Sequence, residues 1–257
     1  MHIVKTVEQW RELRRQIPLE NSIGFVPTMG CLHAGHASLI RRSCQENLST
    51  VVSIFINPTQ FNNQSDLLHY PKTLQEDFTL LEAGMVDFVF LPTEADMYPD
   101  GNCMPLQCRD FLSQCCEGAY RLGHFDGVVT IVMKLFQLVQ PTRAYFGEKD
   151  YQQLKLIQQM VRNYFLPIDV VACPTIRMPN QLPYSSRNSR LTENEQQLAG
   201  KISQLLHTYY PDKHRDMLET LAKFPIQLDY LETLHDRLLI AYRIGEVRLI
   251  DNVFIQR

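Results

Sequence analysis

One stretch near the start of the chain constrains the fold more than any other. The apolar run at residues 23–26 predicts a buried strand that ends at Pro27, which cannot donate to a sheet ladder. Gly30 and Gly35 follow, where the backbone can approach a ligand closely, and apolar positions from Ala37 onward have helical spacing. A strand, a glycine-containing turn and a helix N-terminus in this order form an anion-binding geometry.

Two histidines lie in this turn, His33 and His36, with Gly35 between them. Both imidazoles can face a phosphate over the start of the helix and donate hydrogen bonds to its oxygens. When protonated, they can also offset the charge that grows on a leaving pyrophosphate. The alternative is a pair of capping or partly buried histidines without a ligand. The H-x-G-H spacing directly after a strand favours phosphate binding.

Apolar runs and helical patterns alternate over the first two thirds of the chain. Four more runs are typical of strands: residues 51–56, 86–91, 144–146 and 168–173. Helices are expected between them: residues 6–16, 37–47, 73–84, 127–139 and around 154–161. Capping residues support several helix ends: Thr6, Thr73 with Glu76, Gly84, and Thr192 with Glu195. The alternation predicts an α/β fold with a Rossmann-like, doubly wound parallel sheet.

The pattern changes after residue 174. Prolines punctuate an irregular segment, a helix follows to about His207, and two strand-like runs around Gly245 predict a hairpin. We therefore expect two domains: a Rossmann-like domain at residues 1–174 and a smaller α+β C-terminal domain at residues 175–257.

Composition sets limits on the expected partners. The net charge of the 257-residue chain is −3, so no broad polyanion-binding surface and no nucleic-acid partner are expected. The seven cysteines are odd in number and irregularly spaced, which favours reduced thiols in the cytoplasm over disulfides or a zinc site. Neither a signal-peptide core nor a run of about 18 apolar residues occurs, so no membrane partner is expected.

Two polar segments are candidates for phosphate binding. Residues 147–150 (GEKD) follow a predicted strand, where Lys149 can reach phosphates and Asp150 can accept from ribose hydroxyls or hold a cation through water. Residues 185–187 (SSR) lie on a proline-flanked loop that can close over a triphosphate, with Arg187 forking onto its oxygens. Each segment alone also fits an ordinary polar surface loop.

Two amides and a basic segment complete the candidates. Gln60 and Gln153 lie at the ends of predicted elements, so both can line one cleft. Amides suit an uncharged hydroxyl group of a substrate because they both donate and accept hydrogen bonds. Residues 121–127 (RLGHFDG) can form a cationic lip on which Arg121 and His124 face a carboxylate or a phosphate. A surface loop before a helix is the plain alternative for these residues.

Several motifs together carry a family resemblance. They are PTMGCLHAGH, VVSIFINPTQF, YPKTLQEDFTLLEAGMVDFVFLPTEADMYP, LGHFDGVVTIVMKLFQLVQP, YFGEKDYQQL and YSSRNSRLT, with VRLIDN near the end. In this order they resemble the pantoate–β-alanine ligase family, among the H-x-G-H nucleotidyltransferases, over almost the whole chain. The resemblance implies that ATP adenylylates pantoate with release of pyrophosphate. The amine of β-alanine then attacks the acyl adenylate, which gives pantothenate and AMP.

The resemblance also implies roles for individual residues. Gln60 and Gln153 correspond to pantoate-binding amides, and Gln60 also to a β-alanine contact. His36 corresponds to the proton donor, and we expect His33, Lys149 and Arg187 to act with it. ATP is expected to contact the following residues: Met29, Gly30, Cys31, Leu32, His33, Ala34, Gly35, His36, Gly147, Glu148, Lys149, Asp150, Ile176, Tyr184, Ser185, Ser186 and Arg187. The family also implies Mg²⁺, without dedicated protein ligands, and a homodimer.

Two departures from the family pattern concern loop closure. Residues 180–183 (NQLP) replace the usual D-G-L-A before the two serines, and the lost glycine and added proline predict a stiffer loop. Residues 208–236 are shorter than in the family's usual C-terminal domain. Two other functions stay open: an H-x-G-H adenylyltransferase for a different acid, and a nucleotide-binding protein without turnover.

Overall fold

The computed structural model describes residues 1–62 and 64–255. Six of its strands are β1 (His2–Val4), β2 (Ile23–Thr28), β3 (Ser49–Ile54), β4 (Phe88–Phe90), β5 (Arg143–Gly147) and β6 (Asp169–Cys173). They form one sheet in the order β1-β4-β3-β2-β5-β6, and every pairing is parallel. The expected Rossmann-like sheet is confirmed, with one strand more than the sequence predicted, the short edge strand β1.

The described residues contain ten α-helices: α1 (Val7–Gln16), α2 (Ala34–Glu46), α3 (Gln64–Leu68), α4 (Leu74–Ala83), α5 (Glu94–Met97), α6 (Glu117–Tyr120), α7 (His124–Val139), α8 (Tyr151–Asn163), α9 (Glu193–Leu206) and α10 (His214–Leu221). Short 3₁₀ segments occur at Pro58–Gln60, Phe111–Ser113, Glu148–Asp150, Ser186–Arg190 and Pro211–Lys213. None of these helices is long and apolar enough to cross a membrane.

Helices cover both faces of the parallel sheet. On one face, α1, α7 and α8 bury an apolar cluster that includes Trp10, Phe25 and Ile157. On the other face, α2 and α4 enclose a cluster that includes Val26 and Leu81. Phe25 and Val26 are neighbours on β2 and belong to opposite clusters, since successive side chains of a strand point to opposite faces. Both faces of the sheet are therefore buried, as its apolar runs indicate.

The order of the strands reverses between β2 and β5, and a cleft opens at the carboxyl ends of these strands. β2 pairs with β3 along its whole length but with β5 only at Gly24 and Phe25. The strand therefore continues through Pro27 to Thr28, and the expected end at Pro27 is wrong. The backbone of Pro27 alternates to the β5 side, beyond the last paired residue, so its missing N–H costs no ladder hydrogen bond.

A separate antiparallel sheet lies in the C-terminal part, where β7 (Gln227–Leu234), β8 (Arg237–Ile244) and β9 (Val247–Phe254) pair in that order. It shares a core with α9 and α10 that includes Ile202, Met217 and Leu238. The expected hairpin and the α+β character are confirmed. β7 was not expected because Asp229 and Glu232 interrupt its apolar pattern. The domain boundary between residues 174 and 175 stays a prediction.

Two helices begin earlier than expected. α2 begins at Ala34, not at Ala37, because His33 acts as its N-cap. α7 begins at His124, not at Gly127, directly after Gly123 in the left-handed conformation (φ 77°). In both cases motif residues that include a histidine form the first turn of the helix, and they do not follow the apolar periodicity of the rest of the helix.

The helix caps agree with expectation in part. The N-cap Thr6 and the capping box of Thr192 with Glu195 are confirmed. The box of Thr73 with Glu76 is wrong, because the Thr73 hydroxyl donates to Asp77 instead.

Candidate active site

A cavity of about 240 Å³ lies at the carboxyl ends of β2, β3 and β5, where the strand order reverses. Its wall brings together most of the residues that the sequence singled out, from six separate segments: Met29, His33, Gly35, His36, Gln60, Arg121, His124, Gly147, Lys149, Asp150, Gln153, Ile176, Tyr184, Ser185, Ser186 and Arg187. The lining is a mixture of apolar strand and helix residues and a few convergent polar groups, as is typical of small-molecule sites.

Five of the expected ATP-binding residues do not line this cavity: Gly30, Cys31, Leu32, Ala34 and Glu148. The turn at residues 30–32 is folded back onto α4, and Ala34 is exposed on the first turn of α2. The Glu148 carboxylate pairs with Arg237 at 2.7 Å. The backbone of Cys31 and Leu32 and the side chain of Glu148 are therefore held by other parts of the protein, and the assignment of all five residues to ATP stays a prediction.

His33 and His36 are tied to each other through the start of α2. The backbone N–H of Gly35 donates to Nδ1 of His33 (3.2 Å), and the backbone N–H of His33 donates to Nδ1 of His36 (3.3 Å). The two residues thus form a capping box, with ring centroids 4.0 Å apart. Because each Nδ1 accepts a hydrogen bond, each neutral ring carries its proton on Nε2, as a donor.

Burial keeps both rings neutral at pH 7. Burial is the main cause that lowers the pKa of His33 to about 2, with His36 and Lys149 adding to it. Burial also lowers the pKa of His36 to about 4, against the opposing charge of Asp150. The expectation of a protonated His36 therefore does not hold in the protein without nucleotide, although a bound triphosphate would raise its pKa again.

Asp77 on α4 holds the turn before the histidines. Its two carboxylate oxygens accept from the backbone N–H of Cys31 (3.0 Å) and of Leu32 (2.7 Å), and it is 2% exposed. Cys31 has a positive φ of 49°, which the residue adopts only because its neighbours are held. Nothing in the sequence distinguishes Asp77 from an ordinary acidic residue in a first helical turn.

Several neighbours fix Gln60 at the end of its 3₁₀ turn. The side chain of Asn57 donates to Oε1 of Gln60 (3.2 Å). The backbone carbonyl of Gln60 accepts hydrogen bonds from the Arg121 guanidinium (3.2 Å) and from Nδ1 of His124 (2.7 Å). Gly127 allows α7 to approach this turn, since a Cβ there would lie 2.5 Å from the carbonyl oxygen of Thr59. The side chain of Asn57 therefore holds the Gln60 amide, and the side chains of Arg121 and His124 hold its backbone.

The basic segment is buried, so the expected cationic lip is wrong in part. His124 is 6% exposed, and burial with the neighbouring Arg121 lowers its pKa to about 3, so it carries no charge at pH 7. Arg121 does line the cavity as a cation. It also reaches Glu117 at 3.4 Å, where the carboxylate is already bound by two nitrogens of Arg248 at 2.8 and 2.7 Å.

The C-terminal sheet holds the turn that carries Lys149. The side chain of Asn252 on β9 donates to the carbonyls of both Glu148 and Lys149, each at 2.9 Å. Of the two glutamines that follow, Gln152 is buried in hydrogen bonds to residues 112–117, whereas Gln153 lines the cavity. This separation agrees with the sequence-based choice of Gln153.

The SSR segment packs against the other motifs. The Ser186 hydroxyl donates to the carbonyl of Cys31 (3.0 Å). Arg187 and Arg190 share the carboxylate of Asp66, at 2.7 and 3.0 Å. Gln181 before this segment has a φ of 72°, so a glutamine occupies a left-handed position where the family's usual pattern has glycine.

Four polar residues that build or border the site were not predicted from the sequence. Asn57 and Tyr70 line the cavity, Asp77 supports it, and Asp66 holds Arg187. Asn57 and Tyr70 both lie inside motifs that carry the family resemblance. Their position in these motifs was the signal that could have identified them as site residues. Within residues 1–62 and 64–255, no group of three or more His, Cys, Asp or Glu side chains could hold a metal ion.

Comparisons with known sequences agree with this geometry. The family model described as pantoate–β-alanine ligase matches residues 2–254. A pantothenate synthetase from Legionella pneumophila (strain Corby) is 46% identical over 256 residues, which is 99% of this chain and 100% of that protein. One from Francisella tularensis subsp. novicida (strain U112) is 42% identical over 252 residues, 98% of this chain and 97% of that protein.

Solved structures give the same result. The pantoate–β-alanine ligase from Francisella tularensis, complexed with β-γ ATP and β-alanine, has a TM-score of 0.95 at 42% identity and covers 99% of this chain and 97% of its own. A pantothenate synthetase from Thermus thermophilus has a TM-score of 0.92 at 40% identity, with 99% of both chains covered. With a family model matched from residue 2 to residue 254 and relatives of this similarity, the chain belongs to the pantoate–β-alanine ligase family.

Proposed function

We propose that this chain condenses pantoate with β-alanine at the expense of ATP, through a pantoyl adenylate, and releases pyrophosphate and AMP. One observation carries the proposal: two neutral imidazoles, a lysine, an arginine and two amides from separate motifs meet on one cavity wall. The relatives named above, one of them solved with β-γ ATP and β-alanine, support it. They also argue against a different acid substrate and against a protein without turnover.

In the first half-reaction, a carboxylate oxygen of pantoate attacks the α-phosphorus of ATP. The bond from that phosphorus to the bridging oxygen breaks, and pyrophosphate leaves with the electron pair. Anions meet here, so the protein must offset charge. Lys149 supplies a cation, the Nε2 protons of His33 and His36 supply hydrogen bonds, and Arg187 becomes available when phosphate oxygens replace Asp66. No protein nucleophile is needed.

In the second half-reaction, the amine of β-alanine attacks the acyl carbon of pantoyl adenylate after losing a proton to solvent. The acyl C–O bond breaks, AMP leaves as the phosphate anion, and the nitrogen releases a second proton to give the amide. The hydroxyls of pantoate match the amides of Gln60 and Gln153, which both donate and accept. The segment at residues 184–187 forms one wall of the cavity, and a closed site would protect the acyl adenylate from water.

The donor set of this site fits Mg²⁺ that arrives on the nucleotide. Asp150 offers a carboxylate that is 46% exposed beside Lys149, and Mg²⁺ commonly binds one carboxylate together with phosphate oxygens. Bound Mg²⁺ would supply further positive charge on the triphosphate. Asp150 is the residue that we propose to hold it, directly or through water.

Separate assays of the two half-reactions test the proposed function. We expect pantoate-dependent exchange of labelled pyrophosphate into ATP without β-alanine, and AMP formation only when pantoate and β-alanine are both present. No exchange with pantoate, or equal exchange with unrelated carboxylic acids, would contradict the proposal. Calorimetric ATP binding without AMP formation would instead favour a protein without turnover.

Two wider expectations concern the whole protein: the homodimer rests on the family resemblance, and the location rests on the sequence. We propose a homodimer, for which sedimentation equilibrium should give twice the chain mass of 29.9 kDa. A cytoplasmic location stays a prediction. All seven cysteines lie in the described residues and are free thiols, as expected from their spacing.

A further inference from the structure

The C-terminal sheet reaches the turn that carries Lys149 through one buried arginine. Arg237 is the first residue of β8 and is 5% exposed. The Cζ atom of its guanidinium lies 3.6 Å from the centroid of the Phe254 ring and 5.1 Å from that of the Tyr151 ring. Two aromatic rings, one from β9 and one from α8, therefore hold this cation in place.

Two nitrogens of the Arg237 guanidinium are committed to acceptors. One donates to Oε2 of Glu148 at 2.7 Å, and another donates to Oδ1 of Asn252 at 2.9 Å. The third nitrogen, Nε, is buried and has no hydrogen-bond partner among the described residues. Desolvation and an unsatisfied donor offset much of the attraction in such a buried pair, so a gain in stability does not account for it. What the pair does fix is the orientation of its two partners.

Arg237 determines which way the Asn252 amide points. An arginine side chain can only donate, so it requires the amide oxygen on its side. The amide nitrogen then faces the 148–150 turn, where it donates to the backbone carbonyls of Glu148 and Lys149, each at 2.9 Å. Asn252 is 2% exposed, so bulk water does not compete for these hydrogen bonds.

The other partner of Arg237 is a negative charge beside the nucleotide cavity. Lys149 and Asp150 line this cavity, whereas Glu148, directly before them, pairs with Arg237 and does not line it. An unpaired carboxylate in this turn would repel the phosphates that Lys149 is expected to bind. Arg237 therefore neutralises Glu148 and keeps it away from the cavity wall.

We propose that Arg237 is a positioning residue for Lys149. It orients the Asn252 amide and pairs with Glu148, and it thereby holds the turn in the conformation that presents the Lys149 ammonium to the phosphates of ATP. This inference rests on the proposed function, in which Lys149 offsets charge during pyrophosphate release. Because that charge grows in the transition state, a displaced Lys149 should lower kcat more than it weakens ATP binding.

The test is a double-mutant cycle on pantoate-dependent pyrophosphate exchange. Arg237→Met keeps an apolar stem between the two rings but donates to neither partner. Its kcat should fall at least about tenfold, whereas the calorimetric Kd for ATP should stay within about threefold of wild type. In a Lys149→Ala background the same substitution should cost less than about twofold, because the displaced group is absent. Arg243→Gln, at an arginine of the same strand whose side chain is 38% exposed, is the matched control and should behave as wild type.

Two further variants separate positioning from folding. Asn252→Asp keeps the acceptor for Arg237 but removes the donor to the turn, so it should give a similar loss of kcat that also disappears in the Lys149→Ala background. Arg237→Lys keeps a charge and a donor and should recover part of the kcat lost in Arg237→Met. Urea unfolding of each variant shows that the assayed protein is folded.

Any of three results would overturn this role. A wild-type kcat in folded Arg237→Met would show that the turn does not need Arg237. An equal fold loss with and without Lys149 would show that Arg237 supports the fold and not the lysine. If Arg237→Met does not fold, the same two comparisons on Asn252→Asp decide. Absence of exchange in the wild-type protein would overturn the proposed function, and this role with it.

Discussion

His33 and His36 each serve the backbone and the substrate with different ring nitrogens. Their Nδ1 atoms cap α2, which fixes each ring and leaves the proton on Nε2. The sequence predicted the pair and its phosphate partner. It could not predict the charge state, because that depends on burial contributed by residues far along the chain, such as Tyr184, which stacks on His33.

His36→Ala should lower the rate of pyrophosphate exchange at least about 100-fold, the usual scale for removing one electrostatic donor. His36→Gln keeps an acceptor for the backbone N–H of His33, so it should recover the stability lost with the cap but not the rate. Urea unfolding and exchange assays on both variants separate the two effects. A near-normal rate in either variant would remove His36 from the mechanism.

Gln181 offers a test of backbone strain. Its φ of 72° is costly for a residue with a Cβ, and its own N–H donates to the Met178 carbonyl in a tight turn. Gln181→Gly should therefore raise the free energy of unfolding by about 1 kcal/mol. Gln114→Gly, at an exposed glutamine with a φ of −117°, is the control variant and should not raise the free energy of unfolding. A lower stability of Gln181→Gly would contradict the assigned conformation.

At the scale of elements, α4 is a support for the histidine turn, although it contributes no residue to the cavity wall. Asp77→Asn replaces one acceptor oxygen with a donor opposite a backbone N–H. We expect a loss of about 2 kcal/mol in unfolding free energy and about a tenfold lower kcat/KM for ATP. Glu76→Gln, at the exposed neighbour, is the matched control. A loss from Glu76→Gln instead would restore the rejected capping box.

Elements were predictable from the sequence where one apolar period ran through them, as in β2, β3 and α7. Elements were not predictable where polar residues interrupted the apolar pattern. β7 carries Asp229, which pairs with arginines of β8 and β9, and Glu232, which accepts a hydrogen bond from the Cys116 thiol. The first turns of α2 and α7 consist of motif residues. Contacts such as Asp77 with Cys31, 46 residues apart, join segments that no local pattern relates.

At the scale of the whole molecule, three histidines with lowered pKa values make stability depend on pH. The pKa values of His33, His36 and His124 are lowered to about 2, 4 and 3, mainly by burial. Below the pKa of histidine in the unfolded chain, which is near 6.5, the unfolded chain binds protons at these histidines and the folded protein does not. The free energy of unfolding should therefore fall as the pH drops from about 6.5 towards 4, and should not change from this cause above about pH 7.5.

His124→Gln should remove about 2 kcal/mol of the stability loss between about pH 7.5 and about pH 5, since a folded pKa near 3 leaves the ring neutral over this range. Urea unfolding of wild type and variant at both pH values measures the difference. The exposed His2 gives the control variant His2→Gln, which should show the wild-type loss. An unchanged pH dependence in His124→Gln would show that this ring is protonated in the folded state.

The hydrogen bonds from Asn252 to the Glu148 and Lys149 carbonyls have a consequence for folding during synthesis. A ribosome delivers the lysine turn about a hundred residues before β9, and early segments generally fold first. The parallel sheet can therefore form while its phosphate-binding lysine still lacks support. The nascent protein therefore gains full support for its nucleotide site only after β9 has been made and has paired with β8.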